Sequence, residues 1–352
     1  MPADQRLAPA PSTSPKRKAA RRAIWASRTL FGAAALGAMQ FVHAPAMPRA
    51  PFAQFVGPTA WASSDAFGAS REVKLRFTLP GRRVEFPLAV ADDPRGLEYQ
   101  WVAASGTEAA TEAMPLTGAM VAPTRPGFYQ LILLHRSAQD SAVIERERVS
   151  EPTLAVMVPF AEKAAGMLNG YKIGTYLSER FGGDDDDAPD GFIEVHLGDV
   201  QLSVSKHFHL GDFLTRDAQT DVWPKYVALN PRLLDKLELV VAQVAKMRGV
   251  PPDSMVALDV HSGFRTPAHN AQVQRAARDS RHQYGDAADI VIDADGDGKI
   301  TRADSRIVVS AVDSVEELHP ELIGGLGVYT SDRYRTPYVH IDARGHRSRW
   351  RG

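Results

Sequence analysis

The apolar residues of this chain change their spacing partway along it, and that change limits what it can fold into. From Arg71 to about Met157 they alternate. Val73, Leu75 and Phe77 stop at Pro80-Gly81; Val84, Phe86 and Leu88 follow; Tyr99 to Ala103 and Phe128 to Leu134 form two further runs, the second after Pro126-Gly127. A period of two between turn residues is a strand signature. Beyond Asn230 the period becomes helical, with Leu233, Leu234, Leu237, Val240, Val241, Val244 and Met247 on one stripe. Asn230 suits the N-cap of that helix, Pro231 its first position and Gly249 its end. One period cannot serve both stretches, so two differently built regions are expected. Residues 71–157 read as an antiparallel β-sandwich, immunoglobulin-like but lacking the Cys-Trp-Cys core signature. Residues 201–352 read as an α+β domain, with helices on one side of a small antiparallel sheet.

The length of 352 residues agrees with two folded regions plus accessory segments. Residues 47–70, rich in Pro, Ala, Ser and Phe without a period, read as a linker, and 158–200 as a connector. The four aspartates from Asp184 to Asp187 within it repel one another and read as a solvated loop. A second short helix is expected from Pro267 to about Ala277, and strands at Ala287–Ile292 and Tyr338–Asp342.

Residues 1–46 have the layout of an export signal. Lys16-Arg17-Lys18 and Arg21-Arg22 form a basic start, Thr29 to Val42 is apolar but short for a bilayer, and Ala44-Pro45-Ala46 offers a small-x-small cleavage pattern. The competing reading is an uncleaved anchor, which would be the chain's only membrane contact. Arg21-Arg22 leaves the export route open. An exported protein of the periplasm or cell envelope is expected. The formal net charge is −1. It turns more acidic once the basic start is removed, which speaks against nucleic acid as a partner. Cysteine is absent, so a metal here must be held by nitrogen and oxygen.

Two clusters supply such donors. The first is Ser280-Arg281-His282-Gln283-Tyr284-Gly285-Asp286-Ala287-Ala288-Asp289, and the second is Tyr338-Val339-His340-Ile341-Asp342. His282 on a loop and Asp289 in the strand after it can meet at one ion, with Gly285 and Ala287 allowing the tight return. His340 comes from a distant strand on which Tyr338, His340 and Asp342 share a face. Two imidazoles and a carboxylate are the donor set of a catalytic zinc site, which keeps one position open.

The Ser-x-His-x-x-Gly-x-Ala-x-Asp pattern resembles the zinc D-Ala-D-Ala carboxypeptidases and murein endopeptidases, the LAS-type metallopeptidases. The resemblance extends to Leu202–Phe208 with Leu210-Gly211-Asp212-Phe213, to Ser262-Gly263-Phe264-Arg265, and to Gly324-Gly325-Leu326-Gly327-Val328-Tyr329 ahead of His340. It covers about residues 200 to 352. It implies a peptidase with zinc at His282, Asp289 and His340, acting on peptidoglycan stem peptides or cross-links. Zinc there would activate a water and polarise a peptide carbonyl. Arg265 matches the family arginine that stabilises negative charge or holds a substrate carboxylate. The general base departs from the family. Many relatives have Glu or Asp three residues before the last His, where this chain has Pro337; others have His two before it, where this chain has Tyr338. Asp342 is the candidate base, with second-shell orientation of a His ligand or of Arg344 as its alternative. Tyr338 is a candidate hydrogen-bond donor to the oxyanion. Ser280 and Gln283 are expected to shape the loop or touch substrate, and His207, His209, His261 and His269 to stay off the metal. A module that binds peptidoglycan without cutting it is the alternative function, and a scaffold whose sandwich carries the function is a further one.

A second cation site is legible from spacing alone. Asp293, Asp295 and Asp297 take positions 1, 3 and 5 of a calcium loop, Gly298 position 6, Lys299 position 7, Ile300 position 8 and Asp304 position 12. Calcium would bind there in a strand–loop–helix setting next to Asp289.

Overall fold

In a computed structural model, residues 60–62, 67–86, 88–90, 96–116, 119–136, 143–181, 188–254, 258–330 and 336–352 are described. The export segment, most of the expected linker and Asp184–Asp187 lie outside them. The architecture is α+β, with small sheets and few helices. No helix among the described residues is long and apolar enough to cross a membrane.

The alternating stretch folds as strands: β1 (Ala60–Ala62), β2 (Leu75–Thr78), β3 (Arg83–Val84), β4 (Leu88–Val90), β5 (Leu97–Ala103), β6 (Met114–Pro115), β7 (Met120–Val121), β8 (Gly127–Arg136) and β9 (Val143–Val156). A five-stranded sheet runs β2-β9-β8-β5-β6, while β1 pairs with β4 and β3 with β7. The β2–β9 pairing is parallel, unlike the all-antiparallel arrangement expected. Tyr99, Trp101, Leu131, Leu133 and Leu154 alternate inward and share one core with Val84, Phe86 and Met120. Trp101 is fully buried, and its indole N–H donates to Val121 O at 2.8 Å.

The linker and connector readings need revising. Within 47–70, β1 is paired, and the Ala69 and Ser70 amides donate to the Asp235 carboxylate at 3.0 and 2.8 Å. Val73 and Leu75 pack into the same core as the C-terminal half, and Lys74 N–H donates to Val204 O at 2.9 Å. Residues 158–200 contain β10 (Val158–Pro159), β11 (Met167–Leu168), β12 (Tyr171–Lys172), a short helix (Leu177–Phe181) and β13 (Gly191–Val195). Tyr171, Ile173, Tyr176, Phe192, Ile193 and Val195 from this stretch are buried in that core. Each apolar side chain of this kind contributes roughly 1.5–3 kcal/mol relative to exposure, which a mere connector would forgo. Residues 55–352 group as one compact unit.

After β14 (Lys225–Val227), the signalled helix runs Pro231–Arg248, with Asn230 Oδ1 accepting from Arg232 N and Gly249 at φ 69°. Its stripe is buried except for Met247, which is 47% exposed. The expected Pro267–Ala277 helix stops at Asn270. Asn270 Nδ2 donates to Ala277 O at 2.9 Å, folding the chain back instead. The site sheet follows: β15 (Leu258–Ser262), β16 (Ala287–Ile292), β17 (Gly325–Tyr329), β18 (Tyr338–Asp342) and β19 (Ser348–Arg351), in the order β15-β16-β18-β17-β19. All its pairings are antiparallel except β17–β19. The Arg302–Leu318 helix packs on β16, β17 and β18, and the Pro231–Arg248 helix packs on it in turn.

Between these helices and the sheet lies a buried polar network. Lys236, fully buried, donates from Nζ to Glu316 Oε1 at 2.8 Å and to Asp342 O at 2.7 Å. Glu316 also accepts from Gly324 N at 3.1 Å and from Arg349 Nη2 at 2.5 Å. A buried ammonium is tolerable only when its donors are satisfied. Here its partners fix the start of β17, the end of β18 and β19 to both helices.

Candidate metal centre

Asp289 on β16 stands directly across from His340 on β18, so their side chains leave the sheet on the same face. Val339 and Ile341, pointing the other way, anchor β18 in the core. His282 reaches the same point from a 3₁₀ turn, Arg281–Tyr284. The turn is held by Arg265 N–H donating to His282 O at 3.0 Å. It closes at Gly285, φ 73°, where a Cβ would lie 2.2 Å from Ala228 O; only glycine fits.

The three donors converge. His282 Nε2 is 3.2 Å from Asp289 Oδ1, His340 Nδ1 is 3.0 Å from the same oxygen, and the two ring nitrogens are 3.1 Å apart. Tetrahedral bonds of 2.0–2.1 Å set ligand atoms roughly 3.3 Å apart, so this triangle fits a small divalent cation with slight opening. The outer ring nitrogens are occupied. His282 Nδ1 donates to Gly263 O at 2.7 Å, and His340 Nε2 donates to Asp342 Oδ2 at 3.1 Å. Both inward nitrogens are thereby left with lone pairs to offer, the orientation that metal-ligating histidines need. Arg265 Nη2 holds the outer Asp289 oxygen at 2.5 Å and its Nε holds Ser262 Oγ at 2.7 Å, leaving Oδ1 facing the histidines.

Burial lowers the His282 pKa, outweighing the attraction of Asp289. Burial pushes Asp289 upward, but the facing His282 and His340 outweigh it and hold the carboxyl well below the usual range. His340 is held above its ordinary value: burial lowers it, and the hydrogen bonds to Asp289 and Asp342 outweigh that.

Asp342 is not placed to act as the base. It is fully buried and lies behind His340. It accepts from Gly325 N at 2.7 Å and from Arg344 Nη2 at 2.5 Å. Burial raises its pKa, but His340 and Arg344 outweigh it and drive it far below the carboxylate range. A base must reach the proton it takes; Asp342 reaches only its own neighbours and orients His340.

The donors open into a cleft of about 800 Å³ lined in part by Arg265, Ser280, Arg281, Tyr329, Tyr338, Arg344 and Trp350. Tyr338 and Ser280 are therefore on the cleft wall. Gln283 is not. It is buried in the loop, its Nε2 donating to Arg278 O at 2.9 Å, and its carbonyl accepts from Tyr176 OH at 2.9 Å. Sequence reasoning missed Trp350, whose ring centre is 5.1 Å from that of His340. It occupies the space left by Gly327, the residue across from His340, where a Cβ would lie 2.5 Å from the indole. Its Nε1 donates to Tyr329 OH at 2.8 Å, and Tyr329 stacks on Tyr338 at 4.5 Å. No local signal announces this, because it depends on β19 joining β17.

His207, His209, His261 and His269 are not among the clustered donors. His207 pairs instead with Glu238 at 2.6 Å, and His261 stacks on Tyr338. Asp293, Asp295 and Asp297 do cluster. Asp304, expected as the twelfth calcium ligand, is otherwise engaged: it accepts from Ala294 N at 2.8 Å, Asp295 N at 3.1 Å and Thr301 N at 2.6 Å, closing the N-terminal capping box of the Arg302–Leu318 helix. Lys299 donates its amide to Asp297 Oδ1 at 2.8 Å.

Fold and site together define an α+β protein with a candidate metal centre of two histidines and one aspartate. Comparison with family models, curated proteins and solved structures finds no match.

Proposed function

We propose that the chain is an exported zinc-dependent peptidase that hydrolyses peptide bonds in peptidoglycan stem peptides or cross-links. One observation carries the reading: His282, Asp289 and His340 converge on one point while both outer ring nitrogens are tied to acceptors. The motif resemblance over residues 200 to 352 supplies the substrate class, an amide next to a D-amino acid or diaminopimelate. Zinc bound there supplies Lewis-acid chemistry, activating a water and polarising the carbonyl. The residues around it divide the remaining work. Arg265 orients Asp289 from the cleft wall, Asp342 orients His340, and Tyr338, which lines the cleft, would donate its hydroxyl to an oxygen gaining charge. Residues 71–157 form an immunoglobulin-like accessory region that buttresses the metal-binding half.

A second reading rests on the missing base. Among the described residues lining the cleft, the carboxylates are Asp289, a ligand, and Asp279, which accepts from Tyr284 OH. A module that binds wall peptides without cutting them would need no base.

Digestion of purified peptidoglycan by protein lacking residues 1–46, with and without a chelator and read by mass spectrometry, decides between them. Chelator-sensitive new muropeptides establish the peptidase and its bond. Zinc-loaded protein that sediments with peptidoglycan and leaves it intact establishes the binding module. A fragment of 201–352 is a poor substitute, because it lacks Val73, Leu75 and the buried residues of 158–200.

A further inference from the structure

One residue on the cleft wall has a backbone that its side chain does not suit. Residues 273–276 form a tight turn closed by Ala276 N–H donating to Val273 O at 3.2 Å. Arg275, the third residue of the turn, has φ 62°. That position calls for Gly or Asn, because a Cβ crowds the following carbonyl. Among the described residues the side chain gains nothing to offset the strain. Arg275 is exposed, lines the same cleft as the metal donors, and makes no hydrogen bond or ion pair among the described residues. Among the described residues the other guanidiniums of the cleft are all engaged: Arg265 with Asp289, Arg281 with Asp286 and Arg344 with Asp342. Strain kept at a cleft without internal compensation points to a ligand.

We propose that Arg275 is a specificity-determining residue that holds a carboxylate of the bound peptide, so that the site takes anionic peptides in preference to neutral ones. The proposal rests on the peptidase reading and narrows its substrate class. Two carboxylates are chemically equivalent for this purpose, the free C-terminus of a stem peptide and the side-chain carboxylate of diaminopimelate. A terminal carboxylate held at Arg275 makes the site a carboxypeptidase; a side-chain carboxylate leaves cross-links open to it.

The variant Arg275→Gly tests this cleanly, since glycine suits the turn. Four peptides ending in D-Ala-D-Ala are offered to the zinc-loaded protein, with lysine or diaminopimelate at the third position, each as free acid or C-terminal amide. The wild-type protein should bind one carboxylate-bearing form roughly tenfold more tightly than its neutral counterpart, as a charge-assisted Arg–carboxylate pair does. The variant should lose that preference while its zinc affinity is unchanged and its Tm holds or rises. A preference that survives in the variant overturns the proposal, and so does a fall in Tm, which would make the side chain a support of the turn. Equal binding of all four peptides by the wild type overturns the proposal and leaves the peptidase reading standing. Binding of none overturns both.

Discussion

His340 and Asp342, two residues apart on β18, meet side chain to side chain, with Nε2 3.1 Å from Oδ2. The contact turns the other ring nitrogen toward His282 and Asp289. On the proposed reading this makes the aspartate a support for a metal-binding histidine and not the general base. The Asp342→Asn variant should therefore lose metal affinity by about 10–100-fold, the usual effect of removing such a support. Competition with a chelating dye measures it. Unchanged affinity with abolished turnover would restore Asp342 as the base.

Metal removal should be visible in stability. Binding at a hundredfold excess over Kd adds about 2.7 kcal/mol, which for a protein of this size corresponds to a Tm higher by roughly 5 °C. Scanning calorimetry of chelated and zinc-loaded protein checks this. The His282→Ala and His340→Ala variants should show the chelated Tm with or without zinc.

Glu316 joins Lys236 and Arg349 beneath the sheet at 2.8 and 2.5 Å. The Glu316→Ala variant leaves Lys236 buried without its counter-charge, and breaking a buried pair in this way costs about 3–5 kcal/mol. Lys236→Met should cost less, because Arg349 still neutralises Glu316. Denaturant titration of the two variants gives the order.

Two buried tyrosines set an alkaline limit. Burial raises the Tyr171 and Tyr226 hydroxyls well above their usual value, helped by Asp217 and Glu194 respectively. With the folded pKa raised, the folded state holds more protons than the unfolded chain once pH passes roughly 10. Their stabilising contribution is therefore complete below that pH and is lost above it. The double variant Tyr171→Phe/Tyr226→Phe should show a smaller loss of stability between pH 9 and pH 11 than the wild type, by urea denaturation.

Much of the site was legible because its information is local. The Asn230-Pro231 start, the Gly249 stop and the helical stripe define the Pro231–Arg248 helix through caps and period alone. The small residues around Asp289 mark a strand that packs tightly, and the alternation through Tyr338, His340 and Asp342 assigns one face. The donor set of His282, Asp289 and His340 follows from residue chemistry at those places. Spacing misled where a side chain had a competing partner out of view. Asp304 fits a calcium loop by position, yet it serves a helix N-terminus. For Gln283, expected to shape the loop or to touch substrate, the structure shows the first: it ties the loop together.

What the sequence by itself determined, then, is the strand character of 71–157, the Pro231–Arg248 helix and the chemical types of the candidate metal donors, since these depend on neighbours within a turn or two. Tertiary structure alone decided that Asp289 stands across from His340, that Trp350 fills the space over Gly327, and that Asp342 faces a ligand. Strand register and the parallel β17–β19 pairing bring together residues far apart in the chain. No local preference encodes them; they follow from burying Val339, Ile341 and Leu326 in one core while Lys236 and Arg349 behind the sheet pair with Glu316.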